Sequence, residues 1–200
     1  VCSLIISDCR GWRCLLNQSR HWLRSANYCS SLRRMDIDTE TIRRLRDQLL
    51  AADTPPDTRV VHGDANAAVK AAVARRIEPF AETMYLVMMA DGQSAVVERD
   101  ALVAALKVLS DDQLGDADIL PMLERFAQLT DGVGTEGRLA QLGAHLSADR
   151  DDRETAFALA AVIALADESV AVQENRVLEW VSEYYGISQK RMASILGAIG

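Results

Sequence analysis

The chain has 200 residues, which is enough for one domain with a buried core and a short extension. Its composition is 49% apolar, 26% charged and only 5% aromatic, which excludes wholesale disorder and favours packed helices over sheets. The net charge of −7 argues against general binding to nucleic acid or to an anionic membrane, because both require a basic surface.

Residues 1–34 differ from the rest of the chain. Six arginines against one acid give this segment a charge of +5, which leaves −12 for the remainder of a chain whose net charge is −7. All four cysteines lie in it: Cys2, Cys9, Cys14 and Cys29. Their gaps do not match the paired short spacings of a zinc site, and no signal-peptide pattern is evident. We interpret 1–34 as a non-native or upstream extension. The cysteine-free remainder suits a reducing cytoplasm.

Helical periodicity begins after Met35. Asp38 or Thr39 can cap a first helix. Its apolar face is predicted to consist of Ile42, Leu45 and Leu49, with Leu50 as a further candidate. The stretch that follows contains Pro55-Pro56 and several polar residues, which is typical of a linker. We therefore predict a helix and linker over 35–64, and the main domain over 65–200.

The main domain begins with two predicted helices. The first runs from Asp64 or Asn66 to about Ile77. A break or kink is expected at Glu78-Pro79, because proline lacks the amide that the preceding turn needs. The second helix starts at Pro79 and ends at the turn signal Asp91-Gly92.

Six more helices are predicted after this turn, with a loop at Asp131–Gly134. Their approximate ranges are 95–109, 118–130, 135–146, 151–167, 171–185 and 189–199. Short connections between helices of this length indicate an all-α, compact antiparallel bundle of about seven to eight helices. The longest apolar run, 157–166, is too short to cross a bilayer, so no direct membrane insertion is expected.

One segment is repeated at a constant offset of 76 residues. Residues 78–102 align without gaps with 154–178, and seven of the 25 positions are identical. In each copy an apolar helix ends in an aspartate, Asp91 or Asp167. A glutamate, Glu98 or Glu174, follows in the first turn of the next helix. Two copies of one helix-turn-helix unit predict a pseudo-two-fold arrangement, because a solenoid would need more repeats.

A pseudo-two-fold would bring four carboxylates together at one end of the bundle: Asp91, Glu98, Asp167 and Glu174. Carboxylate oxygens suit calcium or magnesium, so this cluster is the candidate metal site. The spacing excludes an EF-hand. The alternative is ordinary helix chemistry, in which the glutamates interact with helix dipoles and the aspartates bind local amides.

The Ala-Asp-Gly…Glu unit resembles that of the TerB-like domains, named for tellurite resistance. The most specific stretch is Tyr85–Gly92, and the resemblance covers about 65–200. A related domain occurs in the membrane-attached co-chaperone DjlA. The resemblance implies a compact fold of about seven helices and divalent-cation binding at the acidic turns. This chain departs from the family at Ala95 and Ala171, where a hydroxyl residue is often found, and at Glu168, where glycine is usual.

No pattern points to an enzyme. The three histidines, His21, His62 and His145, form neither a di-iron nor a zinc-hydrolase motif, and no glycine-rich phosphate loop is present. We predict a TerB-like cytoplasmic stress-response module that binds a divalent cation and a protein partner, the latter in a membrane-associated complex. The alternatives are a metal-free interaction domain and, less favoured, a metal-dependent hydrolase that uses the same carboxylates.

Overall fold

A computed structural model describes residues 37–52, 65–90, 96–166 and 172–199. Within these residues the chain forms seven α-helices and one 3-10 turn, and no strand, which confirms the all-α prediction. The helices are α1 Thr39–Ala52, α2 Ala65–Met88, α3 Val96–Leu109, α4 Asp116–His145, α5 Arg150–Leu165, α6 Val172–Tyr184 and α7 Gln189–Ile199, and the 3-10 turn is Leu146–Ala148. The predicted extension 1–34 and the linker 53–64 lie outside the described residues. Among the described helices, none is both long and apolar enough to cross a bilayer.

Aspartate side chains define several of the helix starts. The Asp38 carboxylate accepts hydrogen bonds from the amides of Glu40 and Thr41 at 3.0 and 3.1 Å, which confirms it as the cap of α1. Asp149 serves α5 in the same way, accepting from the amides of Asp151 and Asp152 at 2.8 and 3.3 Å. Helix α5 therefore begins at Arg150, one residue before the predicted start at about 151.

Helix α2 runs without interruption through Pro79, so a break at Glu78-Pro79 was wrong, while a kink there stays a prediction. Proline removes one backbone donor, but Ile77 and Phe80 on either side are buried in the core at 5% and 0% exposure. Their packing stabilises the helix on both sides of the proline. The Thr83 hydroxyl also donates to the Pro79 carbonyl at 2.7 Å.

Helix α4 consists of two helical halves that meet at a kink at Gly134, so the two helices predicted on either side of Asp131–Gly134 are both present. Gly134 departs from helical geometry at φ 75° and ψ 164°. Glycine reaches this left-handed φ without the clash that a Cβ would cause. The break between the two halves is confined to Gly134, which is shorter than the four-residue loop that was predicted.

The core is built around α2 and α5, which pack along each other. Every residue of α5 from Thr155 to Ala164 is buried, and so is α2 from Ile77 to Met88 apart from Glu78. Arg76 and Asp152, just before these stretches, form a two-pronged ion pair with both N–O distances at 2.9 Å.

The two central helices must run in the same direction. No residue of α2 between Asn66 and Arg76 is fully buried, so an antiparallel α5 would place its fully buried stretch against a surface that is at most partly buried. A parallel pair buries both apolar stretches. Met88 and Leu165, the last residues of α2 and α5, therefore lie at the same end of the bundle, which we call the distal end.

The helix boundaries follow the sequence repeat. α3 and α6 begin at Val96 and Val172, which are 76 residues apart, and the ends of α2 and α5 match the same offset to within one residue. Arg76 and Asp152, which contact each other, are likewise repeat-equivalent positions. Contact between equivalent positions is the expected arrangement near a two-fold axis. The superposition of the two helix pairs stays a prediction.

Candidate functional site

The distal end collects groups from four helices. α2 and α5 end there and α3 begins there, because α3 turns back along α2. The middle of α4 also reaches this end, since the ring of Phe126 lies 5.9 Å from that of Tyr85, near the end of α2. Asp131, between Phe126 and the bend at Gly134, interacts electrostatically with Tyr85.

One of the four predicted metal ligands has a described side chain. Glu98 lies in the first turn of α3, is partly buried and has an interaction partner. Asp91 and Asp167 belong to 91–95 and 167–171, which are outside the described residues. Glu174 belongs to α6, but its side chain is not described. In the part of the chain that is described, no three acidic, histidine or cysteine side chains are arranged to hold a metal. The four-carboxylate site stays a prediction.

Asp131 is an acidic residue at this end that the repeat did not reveal. Tyr85 is only 8% exposed, and burial raises the pKa of its phenol. The negative charge of Asp131 raises that pKa further, while the positive charge of Arg99 on α3 opposes the shift. The sequence signal was the Asp-Gly-Val-Gly run, which marks a change of direction in the chain without saying which helices meet there.

A buried ion pair lies on the flank of the bundle. Glu82 of α2 is 2% exposed, and both of its carboxylate oxygens accept from the Arg138 guanidinium, at 2.7 and 2.8 Å. These bonds raise the pKa of Arg138, and burial opposes that shift. A third guanidinium nitrogen donates to Gln141. The pair forms part of the lining of an open groove of about 490 Å³.

Next to this pair, two buried hydroxyl groups join α2 to the end of α6. The Thr83 and Tyr185 hydroxyls are 2.5 Å apart, and burial raises the pKa of Tyr185 strongly. Gly143 of α4 packs directly on the same segment, since a Cβ there would lie 2.3 Å from the Tyr184 carbonyl oxygen. Sequence reasoning missed this network because its members are 56 and 102 residues apart. The one local signal was a charged residue inside an apolar helix.

The repeated glutamates Glu78 and Glu154 have different surroundings. Glu154 lies in the second turn of α5 and pairs with Arg150 at 2.8 Å and Arg191 at 2.6 Å. Glu78 was expected at a helix start, but it lies in the middle of α2 and pairs with Arg125 at 2.7 Å. Neither residue is part of the distal end.

Fold and site together define a class: a small all-α domain with two parallel buried helices at its centre and acidic residues near one end of the pair. Residues 79–196 match the family model described as tellurite resistance protein TerB. The match covers more than half of the chain, so the protein belongs to the TerB family, as the sequence resemblance predicted. No curated protein and no solved structure matches the chain significantly.

Proposed function

We propose that this TerB-family domain binds a divalent cation, calcium or magnesium, at its distal end and serves as a non-enzymatic interaction module in a cytoplasmic, tellurite-resistance type of stress response. The proposed ligands are the repeated acids Asp91, Glu98, Asp167 and Glu174. The proposed partner is a protein of a membrane-associated complex.

The parallel arrangement of α2 and α5 is the observation that carries this proposal. Because both helices end at the distal end, the segments that follow them both start at this end of the bundle. Asp91 is three residues after Met88, and Asp167 is two residues after Leu165. An antiparallel pair would have separated the two aspartates by the length of a helix. Clustered carboxylates repel one another, and a divalent cation relieves that repulsion.

Two described residues add to the proposal. Glu98 begins α3 at the same end, and Asp131 supplies a further negative charge from α4. Oxygen ligands of this kind suit hard cations of the calcium and magnesium type rather than soft metals.

The proposal is tested by the thermal unfolding of the full chain under reducing conditions with calcium, magnesium or a chelator. A cation at a hundred times its dissociation constant adds about 2.7 kcal/mol to the free energy of unfolding, a shift of several degrees for a domain of this size. The double variant Asp91→Asn/Asp167→Asn should lose that shift. Glu124→Gln/Glu179→Gln is the matched control, since it removes the same charge from two exposed helix positions.

The second candidate is a metal-free interaction domain in which the acids serve helix ends. It is favoured by the described acids Asp38, Asp118 and Asp149, which all accept hydrogen bonds from backbone amides at helix starts. If no cation shifts the unfolding temperature, and Asp91→Asn/Asp167→Asn lowers it with and without chelator, the acids are caps.

A further inference from the structure

We propose that helix α1 is a displaceable cover over a groove formed by α3, α5 and α7, and that this groove binds a basic amphipathic helix of a partner protein. This proposal names the surface and the kind of partner for the interaction role proposed above, and it rests on that role alone. It does not involve the cation.

Helix α1 lies outside the family match at 79–196, yet it packs on the matched domain against α3 and α5. Its apolar anchors are few: Ile42, Leu45 and Leu49 are 0%, 8% and 4% exposed. Their spacing of three and four places them on one face of the helix. Leu50, beside them in sequence, remains 54% exposed. The helix is thus held by one narrow apolar face, in the manner of a helix bound in a groove.

Two arginines on α1 reach the carbonyl ends of two different helices. The Arg46 guanidinium is 2.7 Å from the Asp111 carboxylate and makes a longer contact of 3.5 Å with the Val108 carbonyl, in the last turn of α3. Arg44 contacts the Ala198 carbonyl in the last turn of α7, also at 3.5 Å. Helix C-termini carry partial negative charge. The groove therefore holds the apolar face of α1 and is negative where α3 and α7 end, which complements a basic amphipathic helix.

Helix α1 does not fill this groove. An open space of about 690 Å³ remains beside it. Its lining combines apolar residues of α1, α5 and α7 with four charged residues of α5 and α7: Asp151, Asp152, Glu154 and Arg191. A partner helix with larger side chains at the anchor positions would bury more apolar surface there than α1 does. The signature of the partner is a helix with apolar residues at positions i, i+3 and i+7 and arginine or lysine beside them.

The test uses the full chain and a fluorescent peptide of residues 37–52 as the probe, without added cation. Leu45→Asp weakens the docking of the chain's own helix, and Leu50→Asp is the matched control at an exposed position of the same helix. By fluorescence anisotropy, the Leu45→Asp chain should bind the peptide roughly tenfold more tightly than the wild type or Leu50→Asp, because its groove is no longer occupied. A peptide carrying Arg44→Glu and Arg46→Glu should bind roughly tenfold more weakly than the natural peptide.

Hydrogen exchange of the wild-type chain supplies a second measurement that needs no variant. Amides of 43–52 should open roughly a hundredfold more often than those of 80–88, because α1 detaches without global unfolding. Equal protection of the two segments would make α1 an integral part of the core and overturn the proposal. A folded Leu45→Asp chain that does not bind the peptide would also overturn it, and equal binding of the Arg→Glu peptide would refute a basic partner.

Discussion

The two central helices occupy equivalent places in the repeat but are held by different interactions. α2 carries two buried polar residues, Glu82 and Thr83, and each is bonded to a distant helix. The equivalent positions of α5, Ala158 and Leu159, are apolar. Over this stretch α5 is stabilised by apolar packing alone. α2 combines apolar packing with an ion pair to Arg138 and a hydrogen bond to Tyr185. Repeat symmetry in sequence thus extends to helix placement and not to the polar contacts inside the core.

The largest expected effect is the loss of the buried ion pair in α2. Arg138→Ala leaves the Glu82 carboxylate buried without its partner, which should lower the free energy of unfolding by about 3–5 kcal/mol. Urea denaturation would measure this. Arg125→Ala is the control, because its pair with Glu78 is half exposed, at 50% and 37%, and should contribute no more than about 1 kcal/mol. Equal losses would show that burial does not set the strength of these pairs.

The counterpart in α5 is an apolar deletion. Leu159→Ala removes a side chain with 0% exposure and should cost about 2–5 kcal/mol through lost burial and the cavity left behind. Leu165→Ala, at 46% exposure on the same helix, should change the free energy of unfolding by about 0.5 kcal/mol or less. A small effect at Leu159 would indicate that α5 can repack, and the contrast with α2 would then fail.

A smaller effect is expected at the hydroxyl pair of α2. Thr83→Val keeps the shape of the side chain but leaves the buried Tyr185 hydroxyl without this partner, at a cost of about 1–3 kcal/mol. Adding Tyr185→Phe should recover part of that loss, since both polar groups are then gone. The double-mutant cycle gives the coupling energy directly, and a value near zero would contradict a bond between the two hydroxyls.

The smallest expected effect is a change in the pH dependence of stability that comes from Glu154. The hydrogen bond from Arg191, together with that from Arg150, holds the pKa of Glu154 below its ordinary value of 4.5. A carboxylate with a lowered pKa stabilises the fold above its unfolded pKa, and this contribution is lost as the pH falls through the folded pKa. Arg191→Ala should therefore reduce the stability lost between about pH 5 and pH 3, by equilibrium unfolding at each pH. Arg43→Ala, at an exposed pair on α1, should leave the pH profile unchanged.

Much of the fold was predictable because its signals are local. The Asp38 cap of α1 and the apolar residues Ile42, Leu45 and Leu49 were read from residues within one or two helical turns, and they were confirmed. Leu50, the further candidate for that face, is 54% exposed, so this part of the prediction was wrong. The errors came where tertiary packing outweighed a local rule. Pro79 lies inside a continuous helix because its neighbours are buried. The two helices predicted around Asp131–Gly134 are present, but the break between them is shorter than predicted and is confined to Gly134.

The candidate site divides in the same way. The repeat pointed to four carboxylates. Glu98 lies in the first turn of α3, and the metal site that all four would form stays a prediction. Asp131 was missed because its approach to Tyr85 depends on how α4 crosses α2. The place where two helices cross cannot be predicted from the spacing of neighbouring residues in the sequence.

The sequence by itself determined the helical class, the TerB family and the repeated acidic unit, because periodicity, capping and motif spacing act over a few residues. Only the tertiary structure decided that α2 and α5 run parallel, that Glu82 finds Arg138, and that α1 covers a groove with negative ends. These features join residues far apart in the chain. They depend on which apolar surfaces can be buried together and which buried charges can be paired in the folded chain, and a local sequence pattern does not contain this information.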